Sequence, residues 1–478
     1  MTTDDVSHRL RNSLRLHNTL TGVEDVFSPI DVDHVGMYGC GPTVYSTPHI
    51  GNMRMYVTLD LIQRVLRFAG YRLETAMNIT DVGHLTSDAD SGDDKLVAAA
   101  RAERMTAWEV AGKYTDEFFD YARRLNIQPM NHVLRATDHI PEQIDLIRRL
   151  DDKGVVYRVE DGIYFDTSKV SDYGKLTPND TRGQLRSGQR VPLGDKRHPT
   201  DFALWKFSAP GAAKRDMEWS SPWGVGFPGW HIECSAMAMA YLGDSIDVHV
   251  GGIDHIAIHH TNEIAQSETA TGKPFSRWWM HGAFLILDGE KRMGKSEGNR
   301  ITLDDLVDAG FDPLEFRYLL LMSHYRSPLS FSMPTLAAAA SAYRRLRRRI
   351  AAIRSEAAGQ PLPEVTVETP QLRQFVDAIA DDVNTPRALA ALWNLVRDRQ
   401  ADAPTTMAAI HEFDRVLGLD LANAVIERIP ADIAELAKHR WRLRAAGDYA
   451  GADGVRTRLA NKGYEVRDSR DGYEVIAT

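Results

Sequence analysis

Residues 35–79 constrain the fold more than any other part of the chain. A β-rich run at 35–45 contains Gly36-Met37-Tyr38-Gly39-Cys40 and closes on Gly41-Pro42. Apolar Val57, Leu61, Val65 and Leu66 then recur at helical spacing across 54–69, and 71–79 reads as a second strand. Strand, turn, helix and strand in that order form a β-α-β unit, which pairs its strands in parallel and covers them with helices. Ligands of such sheets bind where the strand order reverses, so a nucleotide site is expected at the first turn.

The remaining pattern divides a chain of 478 residues into several cores. Short strands and turns at 151–206, among them Gly162-Ile163-Tyr164-Phe165 and Asp201-Phe202-Ala203-Leu204-Trp205, read as an insertion into the sheet fold. Ile246-Asp247-Val248-His249-Val250 alternates like a buried strand, a helix follows at 261–270, and Phe284-Leu285-Ile286-Leu287 is a further strand candidate for the second half of the parallel sheet. Beyond Thr302 an alanine-, leucine- and arginine-rich helical pattern is broken at Gly359-Gln360-Pro361 and at Asn384-Thr385-Pro386, as in a helix bundle. The expected fold class is therefore α/β. Rossmann-like halves at 1–150 and 207–300 flank the insertion at 151–206, followed by a segment at 301–335, a bundle at 336–428 and a small module at 429–478.

Charge and cysteine content exclude several classes. A formal net charge of −9 means that any nucleic-acid site must be a local basic patch. Cys40 and Cys234 are the only cysteines; they rule out a disulfide framework and suit a reducing, cytoplasmic setting. The polar N-terminus lacks the apolar core of a signal peptide, and no run approaches the roughly 20 apolar residues of a membrane span.

Pro48-His49-Ile50-Gly51-Asn52 lies at the first turn, where glycine lets backbone approach a ligand and a helix N-terminus favours phosphate. Far downstream, Lys291-Arg292-Met293-Gly294-Lys295-Ser296 is a basic loop whose cations would neutralise charge developing on phosphates. Either motif alone is as well explained by packing or by a solvated loop. Together they resemble the HIGH and KMSKS signatures of class I aminoacyl-tRNA synthetases.

The two cysteines sit in distinctive surroundings, Tyr38-Gly39-Cys40-Gly41-Pro42 and Gly229-Trp230-His231-Ile232-Glu233-Cys234. In His259-His260-Thr261-Asn262-Glu263, His259 and Glu263 are four apart and share one helix face, so they can complete a zinc shell begun by two thiolates. His260 is a conceivable substitute for His259. With Asn78-Ile79-Thr80-Asp81, Tyr173-Gly174-Lys175-Leu176, Asn262 through Glu268 and Tyr325-Arg326-Ser327-Pro328 added, nearly the whole chain resembles the cysteinyl-tRNA synthetases.

That resemblance implies one Zn2+ held by Cys40, Cys234, His259 and Glu263, with Thr80 and Trp230 beside the bound cysteine. It implies ATP with Mg2+ contacting Pro48, His49, Gly51, Asn52, Gly251, Gly252, Asp254, Arg292, Lys295 and Ser296, of which His49, Asn52 and Lys295 serve catalysis. It makes the insertion a connective domain, 301–335 a tRNA stem-contact region and 429–478 an anticodon-binding module. The partners are L-cysteine, ATP and tRNA(Cys), with the chain a monomer. Within the module, Arg440, Trp441, Arg442 and Asp471 are the tRNA-binding candidates, because unstacked bases bind on aromatic or guanidinium planes.

Four departures from the family pattern stand out. Asn52 replaces the last histidine of HIGH, and Arg292 and Gly294 replace lysine and serine of KMSKS. Residues 83–92 interrupt an acidic stretch, and His255 and Thr261 alter the surroundings of the zinc histidines. Two other readings compete: a cysteine ligase that acts on glucosaminyl-inositol, which would need no anticodon reader, and an inactive tRNA-binding relative.

Overall fold

The computed structural model describes residues 3–83, 95–177, 196–208, 215–287, 291–292, 299–363, 370–398, 400–425, 430–469 and 472–477. Its centre is a parallel sheet of five strands: β1 (His34–Gly39), β2 (Arg72–Ile79), β3 (His132–Arg135), β4 (Ile246–Gly252) and β5 (Ser276–Gly282). They lie in the order β5-β4-β1-β2-β3. The order reverses between β1 and β4, which opens a crevice at their carboxyl ends. β1 and β4 are buried along nearly their whole length, as parallel strands covered on both faces must be.

The fifth parallel strand is Ser276–Gly282, not the candidate at 284–287. Leu285–Leu287 instead forms a separate three-stranded sheet with Lys291–Arg292 and Leu329–Phe331. The Ser-Arg-Trp-Trp-Met-His-Gly sequence of β5 mixes polar and apolar residues, so its burial is not visible in the pattern.

Helix α1 (Ile50–Phe68) crosses between the sheet and the C-terminal bundle and is buried on almost every side. It and the bundle helices Met333–Glu356, Pro370–Ala380, Thr385–Arg397 and Ala403–Leu417 share one apolar core. At their junction Asp60 of α1, fully buried, accepts Arg64 Nε at 2.8 Å, Arg317 Nη2 at 2.6 Å and the Gln128 amide at 2.8 Å. Arg317 also donates to the Leu417 and Leu125 carbonyls, both at 2.9 Å. Gly418, at φ +62°, leaves room for this guanidinium; a Cβ there would lie 2.7 Å from Arg317 Nη2.

The insertion is an antiparallel sheet of Val156–Val159, Gly162–Phe165, Phe202–Phe207, Gly224–Pro228 and Trp219–Ser221. It takes in two strands beyond 206, so it reaches Pro228 rather than stopping at the expected boundary. Its last long strand runs straight into helix α2 (Trp230–Leu242), and the Gly229 amide donates to the Leu204 carbonyl at 3.0 Å. Ile163, Phe165, Phe202 and Trp205 pack with Ile232 and Ala236 of α2 and with Ala265 of α3 (His259–Thr271).

The C-terminal module pairs helices Ala431–Ala445 and Tyr449–Asn461 with the hairpin Tyr464–Ser469 and Gly472–Ala477. It has its own core of Ile433, Ala437, Val455, Leu459 and Val466. Among the described residues no helix is long and apolar enough to cross a membrane.

Replacing Asp60 by Ala leaves two buried guanidiniums without their carboxylate, and should destabilise the protein by about 3–5 kcal/mol. A denaturation midpoint equal to that of the parent chain would show that the cluster contributes nothing.

Candidate active site at the switch point

Three elements deliver the four candidate metal ligands. Cys40 follows the end of β1 directly, and its amide donates to the Val250 carbonyl at 3.0 Å, so the β1–β4 pairing continues into the site. Gly41 then passes so close to β2 that a Cβ would lie 1.7 Å from the Asn78 carbonyl oxygen, an approach open only to glycine. α2 brings Cys234, and successive turns of α3 bring His259 and Glu263. The ligand atoms of Cys40, Cys234, His259 and Glu263 all lie within 4.8 Å of one another, and all four residues are buried.

His260, the possible substitute for His259, lies on the other side of Cys40. Its Nε2 is 3.2 Å from the Cys40 sulfur and its Nδ1 is 2.8 Å from His281 Nε2. With Cys40 and His249 it makes a second group of three metal-binding types, but among the described residues only the set with His259 offers four donors. Gly251 leaves room for the His260 ring, since a Cβ would sit 2.4 Å from its Cε1.

Burial pushes the Cys40 thiol up to about 11 and the Cys234 thiol well above its ordinary value. Burial alone would lower His259, but Glu263 and Cys234 beside it raise it to about 10. Burial would likewise raise Glu263, yet His249 and His259 hold its carboxyl well below the usual range. His249 Nε2 lies 2.6 Å from one Glu263 oxygen and His259 Nε2 lies 3.0 Å from the other. Two thiols, an imidazole and a carboxylate in a dry pocket, with a further histidine bracing the carboxylate, are a donor set that fits Zn2+. Binding would have to displace the thiol protons.

Trp230 stacks on the His259 ring at 4.4 Å between centroids and lines the adjoining cavity. Thr80 is buried: its hydroxyl donates to Glu233 Oε2 at 2.9 Å and accepts from Asn78 Nδ2 at 3.0 Å. Neither Thr80 nor Glu233 is among the residues that wall the cavity. Glu233 lies within the quoted Trp230-to-Cys234 motif, but nothing local distinguishes it from a surface glutamate.

The cavity has a volume of about 430 Å³ and runs from Cys40 and Trp230 to Pro48, His49, Gly51 and Asn52, with Gly252, Asp254 and His255 on the β4 side. His49 is the N-cap of α1. Its Nδ1 accepts the Asn52 amide at 3.2 Å, while the Asn52 side-chain oxygen accepts the His49 amide at 3.1 Å. Asn52 is thus tied back to the cap, and its exposed side chain keeps its NH2 as a donor. Burial, then the nearby Arg300 charge, lower His49 to about 4, so at neutral pH it is an uncharged ring whose Nε2 carries the proton.

Lys295, Ser296 and Gly294 lie outside the described residues, as does Asp471 and most of the interruption at 83–92; of Arg292 only the backbone is described. Two cations missed in the sequence also wall the cavity, Lys95 and Arg300. Lys95 follows Asp93-Asp94 in sequence and sits 5.6 Å from the Tyr45 ring centroid.

In the C-terminal module Arg440 is buried and forks onto Asp468 at 2.7 and 2.8 Å, which corrects its assignment as an RNA contact: the guanidinium is spent inside the module. Trp441 is half-buried, 5.6 Å from the Tyr473 ring, while Arg442 is exposed. The basic run at 344–349 is also engaged internally, with Arg344 on Glu315 and Arg347 3.6 Å from Asp420.

A doubly wound sheet with a histidine-capped helix at its switch point, and a cavity running from that cap to a thiol of the buried cluster, is the arrangement that the resemblance to class I aminoacyl-tRNA synthetases implied. The family model of the tRNA synthetases class I (C) catalytic domain matches residues 26–341. A Mycobacterium tuberculosis methionyl-tRNA synthetase in complex with methionyl-adenylate shares the fold, with a TM-score of 0.60 at 17% identity over 82% of this chain and 93% of its own. A cysteine--tRNA ligase 1 of Burkholderia lata is 48% identical over 97% of both chains. The cysteine--tRNA ligase of Thermus thermophilus is 40% identical over 96% of this chain and 98% of its own. The chain belongs to the cysteinyl-tRNA synthetase family.

Because the unfolded chain protonates His49 near 6.5 and the folded one only near 4, the folded state binds fewer protons in that window and loses stability as pH falls through it. Nitrogen-15 NMR of the His49 ring should show a neutral Nε2–H form at pH 6. A charged ring at that pH would refute the assignment.

Proposed function

We propose that this chain activates L-cysteine with ATP and Mg2+ and transfers it to tRNA(Cys). The observation that carries the reading is one cavity that runs from Cys40, a member of the buried four-donor thiol, imidazole and carboxylate cluster, to the His49 cap. Zinc held by Cys40, Cys234, His259 and Glu263 would select the substrate through its thiolate, since a hydroxyl is a poor ligand and a methyl none.

The protein's own groups do the rest. Trp230, stacked on His259, closes the pocket over the amino acid. His49 brings a neutral Nε2–H donor to the cavity wall, and the start of α1 adds the positive end of the helix dipole, which favours phosphate. Lys295 is assigned the charge on the α- and β-phosphates during adenylate formation. The separately cored C-terminal module, within a match to relatives over almost their whole length, supports tRNA rather than an amino sugar as acceptor. Trp441 and Arg442 remain its candidates for RNA contact, and two free buried cysteines suit the cytoplasm.

Cysteine-dependent exchange of pyrophosphate into ATP tests activation, and charging of tRNA(Cys) against glucosaminyl-inositol tests the acceptor. No exchange sinks the reading, and transfer to the sugar alone sinks its second half. Cys234→Ser should lose zinc and exchange together, each by roughly a hundredfold or more; full zinc occupancy in that variant would mean that the ligand set is wrong. Trp441→Ala should raise the KM for tRNA by roughly tenfold or more, the worth of one stacked base, and leave exchange unchanged. An unaltered KM removes Trp441 from the interface.

A further inference from the structure

Arg300 carries the inference. It is the only arginine among the described residues that wall the cavity, and it stands just past the basic loop at 291–296. Its backbone is fixed against the start of α1. The Ile50 amide donates to the Ile301 carbonyl at 2.9 Å, and Thr302 forms an antiparallel bridge with His49. The guanidinium therefore comes to the wall that holds His49, and its charge is one of the two influences that keep that ring neutral.

The partners of Arg300 are unusual for a partly enclosed cation. Nη2 donates to Ser46 Oγ at 3.2 Å and to the Thr47 carbonyl, and among the described residues no carboxylate is a partner. Its Nε is buried and meets no acceptor among the described residues. A guanidinium whose Nε is buried, and which meets no carboxylate among the described residues, is better satisfied once an anion arrives, and its planar fork matches phosphate oxygens. Gly294 stands where the resembling motif carries a serine, so that motif brings one hydroxyl fewer to the nucleotide here, while Asn52 keeps an amide donor in place of a histidine. Arg300 adds a charge on the same wall.

We propose that Arg300 binds the β- and γ-phosphates of ATP and stabilises pyrophosphate as it leaves; this rests on the reading of the cavity as the nucleotide site. In the step it serves, a carboxylate oxygen of the amino acid bonds to the α-phosphorus. The bond from that phosphorus to the bridging oxygen breaks, and the electron pair departs on pyrophosphate. Arg300 takes no proton and gives none.

The alternative role, a staple for the turn at 46–47, predicts a different result in a binding experiment. Calorimetry with the full chain compares ATP, pyrophosphate and AMP for the parent, Arg300→Ala and Arg300→Lys. Loss of charge-assisted hydrogen bonds should weaken ATP and pyrophosphate roughly tenfold to a hundredfold in Arg300→Ala, with AMP within about twofold. Arg300→Lys should recover part of the loss, because it restores the charge but not the fork. Unchanged ATP affinity, or an equal loss for AMP, overturns the proposal. Binding requires no turnover, so a parent chain that binds ATP but shows no cysteine-dependent exchange would fail the proposed function and leave this result standing.

Discussion

The adjacency of β1 and β4 governs everything else in the site. Their pairing runs in register from Met37 with Val248 to Gly39 with Val250, and the Cys40 amide extends it by one more bond. Because side chains alternate across a strand, a slip of one residue would turn Cys40 to the opposite face and remove a thiol from the cluster. The same pairing sets the start of α1, which follows β1, against the turn that carries Asp254 after β4. Cysteine cluster and helix cap thus form two ends of one crevice because two strands distant in sequence are neighbours.

Holding that crevice rigid falls to parts of the chain with no chemistry of their own. The antiparallel insertion hands its last strand directly to α2, and Gly229 fits against it so tightly that a Cβ would meet the Ala203 carbonyl at 2.0 Å. The direction in which Trp230 and Cys234 enter the site is therefore set by the insertion. On the other side Asp60 and Arg317 tie α1 to the helix Pro313–Leu321 and the end of the bundle. A buried carboxylate between two guanidiniums is demanding in geometry, and here the remaining guanidinium donors find backbone carbonyls. The far side of α1 is thereby fixed to the bundle, and its N-terminus is fixed with it.

What was legible in the sequence was local and periodic. Strands buried on both faces read as apolar runs, which located β1, β2 and β4, and the four-residue spacing of His259 and Glu263 placed them on one face of α3. What was hidden depends on distant partners. β5 carries Arg277 and His281 because it pairs beside buried histidines and the N-terminal segment, and its polarity masks a strand. The strands at Trp219–Ser221 and Gly224–Pro228 are rich in serine, glycine and proline and read as loop. Arg440 lies in a run of cations that suggests an RNA surface, yet its helix faces inward at that position and Asp468 waits opposite. A cation in sequence becomes a ligand-binding group only when no carboxylate of the fold claims it.

That distinction also orders the charges around the cavity. The chain carries more acid than base, so phosphate can be attracted only where cations are left uncommitted. Most arginines of the bundle are not: Arg344 serves Glu315, Arg349 serves the Val396 carbonyl and Arg345 lies over Trp393. His49 adds a donor without adding charge, because its Nδ1 is occupied by the helix cap and its environment keeps it unprotonated. Neutral donors orient phosphate oxygens, while the attraction that brings a polyanion into an acidic protein has to come from cations. A cavity that must bind a triphosphate and then release pyrophosphate is served by such a division, since orientation survives throughout while only a few charges hold the leaving group.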